Sequence, residues 1–240
     1  MSGVPEMAMV LAAGLGTRMR PLTDTLPKPL IKIAGKTMLD RGLDALADAG
    51  VIAAVVNVHH LADQVIDHLR AREEPRIAIS DERDGLLDSA GGVVRALPQL
   101  GPDPFLILNA DTFWIERDGS DLKRLALAWD GTRMDILLML ADPANATGHS
   151  GSTDFLRDPE GRLSRARGAA AGFIYAGVAI VHPRIFAEAT PTPHSLNLYF
   201  DRAIATRRLH GAAMHGHWIT VGTPDAIREA ERAIARLTDR

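Results

Sequence analysis

The first half of the chain alternates short apolar runs with segments of helical periodicity. The runs Met7–Leu11, Ala53–Val58 and Phe105–Asn109 predict buried strands. Met38–Ala49 carries apolar residues at helical spacing and ends before Gly50, which predicts a helix. The same criteria predict a further strand and two helices at Arg76–Ser80, Leu61–Leu69 and Ser89–Leu97. Strands that alternate with helices in this way form parallel sheets through crossover connections.

This alternation predicts an α/β protein with a Rossmann-like sheet that is mixed but mainly parallel and carries helices on both faces. Ligands of such sheets bind at the carboxyl ends of the strands. Three segments lie at the carboxyl ends of predicted strands, so we expect them on one edge of the sheet: Ala12–Gly16, Asn57–His60 and Asn109–Asp111.

The second half of the chain is less regular, and it contains no repeat or linker that would divide it. A region rich in Gly, Pro, Asp and Ser, residues 143–172, is compatible with short strands or with a mobile loop. Thr223 predicts an N-cap and Pro224 the first residue of a final helix that runs to about Leu237. Two further helices are predicted at Asp121–Ala128 and Leu196–Arg207, and two further strands at Asp135–Leu140 and Phe173–Val181. The segment between the second of these helices and Val221 is predicted to be strand.

Composition narrows the possible functions. The 240 residues suffice for one domain with a sizeable core. A net charge of -3 gives no basic excess for nucleic acid, and no apolar run reaches the roughly 20 residues that span a bilayer. The absence of cysteine excludes disulfides, thiolate metal sites and a cysteine nucleophile. We therefore expect a cytoplasmic protein without a nucleic-acid or membrane partner; the sequence does not indicate an oligomeric state.

Candidate phosphate chemistry follows the first strand. Gly14 and Gly16 can bring backbone N–H groups close to a phosphate, although two glycines after a strand are equally compatible with a simple turn. Thr17 adds a hydroxyl, Arg18 a planar guanidinium, and Lys28 an ammonium between two prolines. The segment lacks the Lys-Ser/Thr of a P-loop and the third glycine of a dinucleotide fingerprint.

The string G-L-G-T-R-M-R-P-L-T at residues 14–23, followed by P-K-P-L at 27–30, resembles the signature of sugar-1-phosphate nucleotidyltransferases. Further segments resemble the family along nearly the whole chain: residues 33–39, Leu87–Gly92, Asn109–Asp111, Tyr175–Gly177 and His217–Pro224. The short form with this ending is most similar to the N-acetylmuramate 1-phosphate uridylyltransferases of cell-wall recycling, and next to the mannose-1-phosphate guanylyltransferases.

The resemblance implies a nucleotide-diphospho-sugar transferase-like fold in one domain, with residues 1–112 as the nucleotide-binding half and 113–240 as the sugar-binding half. It implies transfer of a nucleotide from a nucleoside triphosphate to a sugar 1-phosphate. The favoured donor is UTP, and the favoured acceptor is N-acetylmuramate 1-phosphate. The attacking phosphate oxygen is ionised near neutral pH because its pKa is about 6, so no general base is needed. Arg18 and Lys28 are the implied catalytic residues, and Asp111 the implied ligand of Mg²⁺.

The resemblance also implies binding residues for the nucleotide and the sugar. Besides the loop residues Gly14, Gly16, Thr17, Arg18 and Lys28, the implied contacts are Ala12, Ala13, Glu82, Gly91, Asn109, Gly177 and Asn197. Glu82 is equally compatible with a solvated surface charge, Gly177 with a bulge, and Asn197 with a helix cap.

The chain departs from the family at Thr220, where an aspartate usually provides the second carboxylate for Mg²⁺. Three explanations stay open. Asp111, the phosphates and water hold the cation; or Asp225 or Asp201 substitutes; or catalysis has been lost and the protein is a nucleotide-sugar sensor. We favour the first, because Mg²⁺ commonly binds through one or two carboxylates plus substrate phosphates. The nine histidines form no pattern that indicates zinc.

Overall fold

A computed structural model describes residues 3–169 and 171–238. Its strands, in chain order, are β1 (Met7–Leu11), β2 (Lys32–Ile33), β3 (Lys36–Thr37), β4 (Ala53–Val58), β5 (Arg76–Asp81), β6 (Phe105–Asn109), β7 (Thr112–Ile115), β8 (Ile136–Ala141), β9 (Ala146–Thr147), β10 (Phe155–Arg157), β11 (Leu163–Arg165), β12 (Ile174–Val181), β13 (Leu209–Ala213) and β14 (His217–Thr220). Its α-helices are α1 (Met38–Ala49), α2 (Ala62–Leu69), α3 (Asp88–Leu100), α4 (Asp121–Ala128), α5 (Asn197–Ala205) and α6 (Pro224–Thr238).

Seven strands form the central sheet in the order β13-β8-β12-β6-β1-β4-β5. β1 runs parallel to β4 and β6, β4 runs parallel to β5, and β8 runs parallel to β13. Only β12 within this sheet is reversed, because it pairs antiparallel with both β6 and β8. The predicted mixed, mainly parallel sheet is confirmed.

Helices cover both faces of this sheet, as predicted. Side chains alternate along β1, so Ala8 and Val10 pack with α1, α2 and α4, whereas Met9 packs with α3 and α5. Each fully buried Leu, Val, Ile or Met side chain contributes about 1.5–3 kcal/mol to folding. A third apolar cluster joins α6 to the smaller sheet that contains β14.

Most predicted elements are present, and several ends differ. Helix α3 passes Leu97 and continues through Pro98 to Leu100, because a proline near the last turn removes only one hydrogen bond. Helix α5 ends at Ala205, and Arg207 beyond it has a left-handed backbone (φ 59°) that cannot continue a helix.

Sequence reasoning did not predict the three-stranded sheet β7-β14-β9. β7 begins immediately after Asp111, so no turn signal separates it from β6. β14 pairs antiparallel with β7, which places Thr220 opposite Thr112, and Val221 N donates to Asp111 O at 3.3 Å. The end of the chain is thereby brought beside the end of β6.

The region between residues 143 and 172 contains the short strands β9, β10 and β11, one of the two structures that its composition allowed. β10 and β11 pair antiparallel as a hairpin, which we call the β10–β11 hairpin. Residue 170 lies outside the described residues. Across the described ranges, we find no helix whose length and apolar character would let it cross a bilayer.

Asp121 joins α4 to the turn that precedes β14. Its side chain is only 1% exposed and forms an ion pair with Arg124 at 3.1 Å. The two carboxylate oxygens accept the backbone N–H groups of His215 and Gly216, at 2.9 and 2.8 Å. This buried carboxylate therefore holds the strand that carries position 220.

We expect Asp121→Ala to lower the free energy of unfolding by about 3 kcal/mol, because the N–H groups of His215 and Gly216 lose their acceptors and Arg124 loses its carboxylate. Urea denaturation followed by circular dichroism would measure it. Asp118→Ala removes an exposed carboxylate from the preceding turn and should change stability by no more than about 0.5 kcal/mol. Equal stability of the two variants would show that Asp121 does not anchor β14.

Candidate active site

Three adjoining cavities lie at the edge of the sheet where β1, β4 and β6 end. The central cavity, about 280 Å³, is lined by Leu11, Ala13, Gly14, Asn57, Glu82, Leu86, Asp88, Ser89, Asn109 and Asp111. The loop cavity, about 230 Å³, is lined by Gly14, Gly16, Thr17, Arg18, Met19, Lys28, Asp111 and Gly222. The hairpin cavity, about 260 Å³, is lined by Ser89, Asn109, Asp154, Phe155, Arg165, Tyr175, Ser195, Leu196, Asn197 and Phe200.

The cavities share wall residues, so they adjoin one another, and together we call them the cleft. Gly14 and Asp111 line both the central and the loop cavity. Ser89 and Asn109 line both the central and the hairpin cavity. Most of the residues that the sequence singled out as candidates therefore border one groove.

The two glycines of the loop have different roles. A Cβ at Gly16 would lie 2.8 Å from Thr23 Cγ2 and 3.1 Å from Lys28 Cβ, and Gly16 has a left-handed backbone (φ +63°). Packing thus requires glycine there. A Cβ at Gly14 would meet no protein atom within 4 Å, and Gly14 is exposed to both cavities. The bare backbone at Gly14 leaves room for a ligand.

Thr23 and His60 hold this loop in place. The buried Thr23 hydroxyl donates to Gly16 O at 2.9 Å. His60 Nε2 lies 2.8 Å from Thr23 O, so this ring fixes the loop from the end of β4. The structure thereby gives His60 a supporting contact with the loop.

Asn57, at the end of β4, connects the loop to β5. Its Oδ1 accepts the N–H of Ala12 at 2.7 Å, and its Nδ2 donates to Glu82 Oε1 at 2.7 Å. Glu82 is fully buried, which contradicts the solvated-charge alternative. Burial raises the pKa of the Glu82 carboxyl, and the hydrogen bonds from Asn57 and Leu87 N oppose that increase.

Gly91, one of the implied contacts, and its neighbour Gly92 lie inside helix α3. A Cβ at Gly92 would lie 2.6 Å from Glu82 Oε1, and a Cβ at Gly91 would lie 2.3 Å from Thr192 O. Both positions therefore require glycine for packing. The neighbouring Ser89 lines the central cavity and was missed by sequence reasoning, although its position at the start of α3 pointed to the sheet edge.

Lys28 and Asp111 form an ion pair at the junction of the central and loop cavities. Lys28 Nζ donates to Asp111 Oδ2 at 2.7 Å. The lysine side chain is 11% exposed and the aspartate side chain 38%. The carboxylate is therefore the more accessible partner, and its second oxygen makes no hydrogen bond to any residue in the described ranges.

Arg18 provides the second cation of the loop cavity. A Cβ at Gly222 would lie 3.4 Å from Arg18 Nη1, so the guanidinium lies against the backbone that follows β14. Arg18 is exposed and has no carboxylate partner within residues 3–169 and 171–238. Its charge is available to an anion that enters the cavity.

A cation site at Asp111 would have one protein carboxylate. Across the described ranges, no three His, Asp or Glu side chains cluster in a way that could hold a metal ion. Asp201 is paired with Arg165, and Asp225 is an exposed residue in the first turn of α6. The residues fit a hard cation that takes one oxygen from Asp111 and its other ligands from phosphates and water.

The remaining predicted contacts border the hairpin cavity or support its wall. Asn109 and Asn197 line it, and Asn197 is the first residue of α5. Gly177 has φ +79° at an irregularity in β12, and a Cβ there would lie 2.7 Å from Thr112 Oγ1. Gly177 therefore packs against β6 and β7. Asp154, Arg165 and Tyr175 also line this cavity, and none of the three was predicted.

Comparisons with known proteins agree with this geometry. Residues 7–148 match the family described as nucleotidyl transferase. The chain is 45% identical, over 240 residues, to the N-acetylmuramate alpha-1-phosphate uridylyltransferase of Caulobacter vibrioides, covering 98% of this chain and 99% of that protein. It is 34% identical to the protein of the same name from Neisseria meningitidis serogroup B, covering 93% and 96% of the two chains.

A solved structure of UDP-glucose pyrophosphorylase complexed with UDP-glucose has a similar fold. The TM-score is 0.79, and the match covers 97% of this chain and 99% of the other. At 16% identity, this likeness extends to the fold alone.

Gly16→Ala should lower the free energy of unfolding by about 2 kcal/mol, because alanine is strained at this backbone conformation and crowds Thr23. Gly14→Ala is the matched control and should leave stability within about 0.5 kcal/mol. Thermal and urea unfolding of both variants would measure the difference. A Gly16→Ala variant as stable as Gly14→Ala would contradict the packing role.

Proposed function

The chain belongs to the nucleotidyl transferase family, and we propose that it transfers the uridylyl group of UTP to N-acetylmuramate 1-phosphate and releases pyrophosphate. Its general activity, nucleotidyl transfer to a sugar phosphate, is that of the family. The identities of base and sugar are proposed from the names of the two relatives, which match nearly the whole chain. We expect the enzyme to work in the cytoplasm, in the recycling of cell-wall sugars.

The observation that carries this proposal is the Lys28–Asp111 pair at the junction of adjoining cavities. We assign the nucleoside to the central cavity, the β- and γ-phosphates to the loop cavity, and the sugar to the hairpin cavity. Residues before 113 line the first two, except Gly222, and residues after 113 line most of the third. This supports a nucleotide-binding half at 1–112 and a sugar-binding half at 113–240.

Charge compensation is the main task of the protein in this reaction. An oxygen of the sugar phosphate forms a bond to the α-phosphorus, while the bond from that phosphorus to the bridging oxygen of pyrophosphate breaks. Negative charge grows on the leaving group, and Arg18 and Lys28 are placed to neutralise it. The nucleophile is already ionised, so the mechanism uses no protein base.

Mg²⁺ would supply further charge neutralisation and would fix the phosphate oxygens. Asp111 is the residue that would hold it, through the oxygen that Lys28 leaves free. Lys28 keeps that carboxylate oriented and remains at the phosphate. Ala12, Ala13 and Gly14 border the nucleoside in this proposal, whereas Glu82 acts through Asn57, since its carboxylate is buried and already hydrogen-bonded.

Two other functions are compatible with the same fold. A mannose-1-phosphate guanylyltransferase would use the same cavities with another base and sugar. A non-catalytic nucleotide-sugar sensor is suggested by Thr220, but the retained cations Arg18 and Lys28 beside Asp111 favour catalysis, because a sensor does not need to neutralise a departing pyrophosphate.

A matrix of UTP, GTP, CTP and ATP against the 1-phosphates of N-acetylmuramate, N-acetylglucosamine, glucose and mannose tests the proposal by pyrophosphate release. We expect UTP with N-acetylmuramate 1-phosphate to give the highest kcat/KM, and Lys28→Met to lower it at least 100-fold. Lys32→Met, which removes an exposed lysine outside the cleft, is the control. If no pair of triphosphate and sugar 1-phosphate releases pyrophosphate, the result would favour the nucleotide-sugar sensor.

Thr220→Asp should lower the half-saturating Mg²⁺ concentration by about 10-fold, because it adds a second carboxylate on the strand that pairs with Thr112, the residue after Asp111. Titration of pyrophosphate release with Mg²⁺ would measure it. Thr190→Asp adds the same charge at an exposed position outside the three cavities and should have no effect. An unchanged Mg²⁺ requirement in Thr220→Asp would place position 220 away from the cation.

A further inference from the structure

The hairpin cavity contains a cation that the proposed chemistry does not use. Arg165, the last residue of β11, lines this cavity together with Asp154 and Tyr175. No residue of the phosphate-binding loop lines it. Arg165 is therefore separated from Lys28 and Arg18 by the central cavity, and its charge needs another explanation.

The Arg165 guanidinium is held in a fixed plane. It lies over the Phe155 ring, 4.8 Å from the centroid, and Nη2 donates to Asn197 Oδ1 at 2.9 Å. Its side chain is only 27% exposed. A stacked, partly buried arginine of this kind holds its remaining N–H groups in a fixed direction, ready to donate to an anion.

The protein itself only partly satisfies this guanidinium. Nε donates to Asp201 at 2.8 Å, but that carboxylate is 61% exposed and lies outside the cavity lining. Water competes for such an exposed partner, so the pair is weak. The two N–H groups of Nη1 have no hydrogen-bond partner within the ranges that the structure covers.

Tyr175, another residue of the cavity wall, carries a polar group without a partner. The hydroxyl oxygen of Tyr175 is buried and makes no hydrogen bond to a described residue. Burial raises the pKa of this hydroxyl, so it stays protonated and can donate near neutral pH. Asp154 Oδ2 accepts the Tyr175 N–H at 2.8 Å, which leaves its other oxygen as an acceptor for a sugar hydroxyl or amide.

We propose that Arg165 binds a carboxylate carried by the sugar and so makes the enzyme selective for acidic sugar 1-phosphates; this inference rests on the proposed function. Neutral sugars present only hydroxyl and amide groups, which do not compensate a partly buried guanidinium. N-acetylmuramate differs from N-acetylglucosamine by a lactyl ether on O3, and that ether ends in a carboxylate. Tyr175 and Asp154 then bind the groups that both sugars share.

The sugar's own phosphate is the other anion that Arg165 could bind, and the two sources give different results. N-acetylmuramate 1-phosphate and N-acetylglucosamine 1-phosphate carry the same phosphate, so a phosphate contact would affect both substrates equally. A carboxylate contact would affect only the substrate that has the carboxylate. The ratio of the two kcat/KM values is therefore the decisive quantity.

The test measures pyrophosphate release from UTP with each of the two sugars. The wild-type protein should prefer N-acetylmuramate 1-phosphate, and Arg165→Gln should lower that preference by about 10- to 100-fold, mainly through KM. Arg165→Lys, which keeps the charge, should recover part of it. Arg157→Gln removes an exposed arginine on the adjacent strand, outside the cavity lining, and should leave the preference unchanged.

Two kinetic outcomes would overturn the proposal: an equal loss for both sugars in Arg165→Gln, or no loss for either. Tyr175→Phe keeps the ring packed against Phe200 and should raise KM for both sugars alike, since its hydroxyl contacts a shared group. An unchanged KM in Tyr175→Phe would show that the Tyr175 hydroxyl does not contact the sugar.

A binding measurement separates failure of this proposal from failure of the proposed function. Saturation-transfer NMR with the UTP-bound protein should show tighter binding of free N-acetylmuramate than of N-acetylglucosamine, and Arg165→Gln should remove the difference. If no sugar 1-phosphate supports pyrophosphate release, the proposed transfer is wrong, and this binding preference still tests Arg165. Equal binding of the two sugars by the wild-type protein would overturn the assignment of Arg165.

Discussion

A chain of buried hydrogen bonds joins the ends of three parallel strands, and the cleft depends on it. Asn57 links the N–H of Ala12, after β1, to the carboxylate of Glu82, after β5. Both side chains are buried, so breaking one link would leave a buried polar group without its partner. The loop that carries Gly14 and Gly16 begins at Ala12, and helix α3 lies against Glu82 through Gly92. The positions of the loop that carries Gly14 and Gly16 and of the central cavity are set together by this one connection.

The parallel strands and crossover helices of the first half of the chain could be predicted because their signals are local. Apolar runs and helical periods alternate, and parallel strands necessarily bring Ala12, Asn57 and Asp111 to one edge. The Lys28–Asp111 contact joins residues 83 positions apart, and only the family resemblance suggested it. The packing reasons for Gly16 and Gly92 depend on neighbours distant in sequence, which periodicity cannot reveal.

The second half of the chain was harder to predict, because its elements are short and their contacts join residues far apart in the sequence. The strands β9, β10 and β11 have two or three residues each, too few to show a period of two. Arg165 is one of several arginines in a polar segment, and its partners Phe155, Asn197 and Asp201 come from other elements. Thr220 was recognised as a departure from the family, and β-pairing with β7 explains why that position matters: it lies beside the residue that follows Asp111.

The shared walls of the cleft affect how its specificity can evolve. Ser89 and Asn109 belong to both the central and the hairpin cavity, so a substitution at either one alters two subsites at once. The β10–β11 hairpin lines only the hairpin cavity, and it pairs as its own two-stranded sheet. Substitutions in the hairpin can therefore reshape the hairpin cavity without altering the walls of the central cavity, whereas a change at Ser89 or Asn109 requires compensation in both.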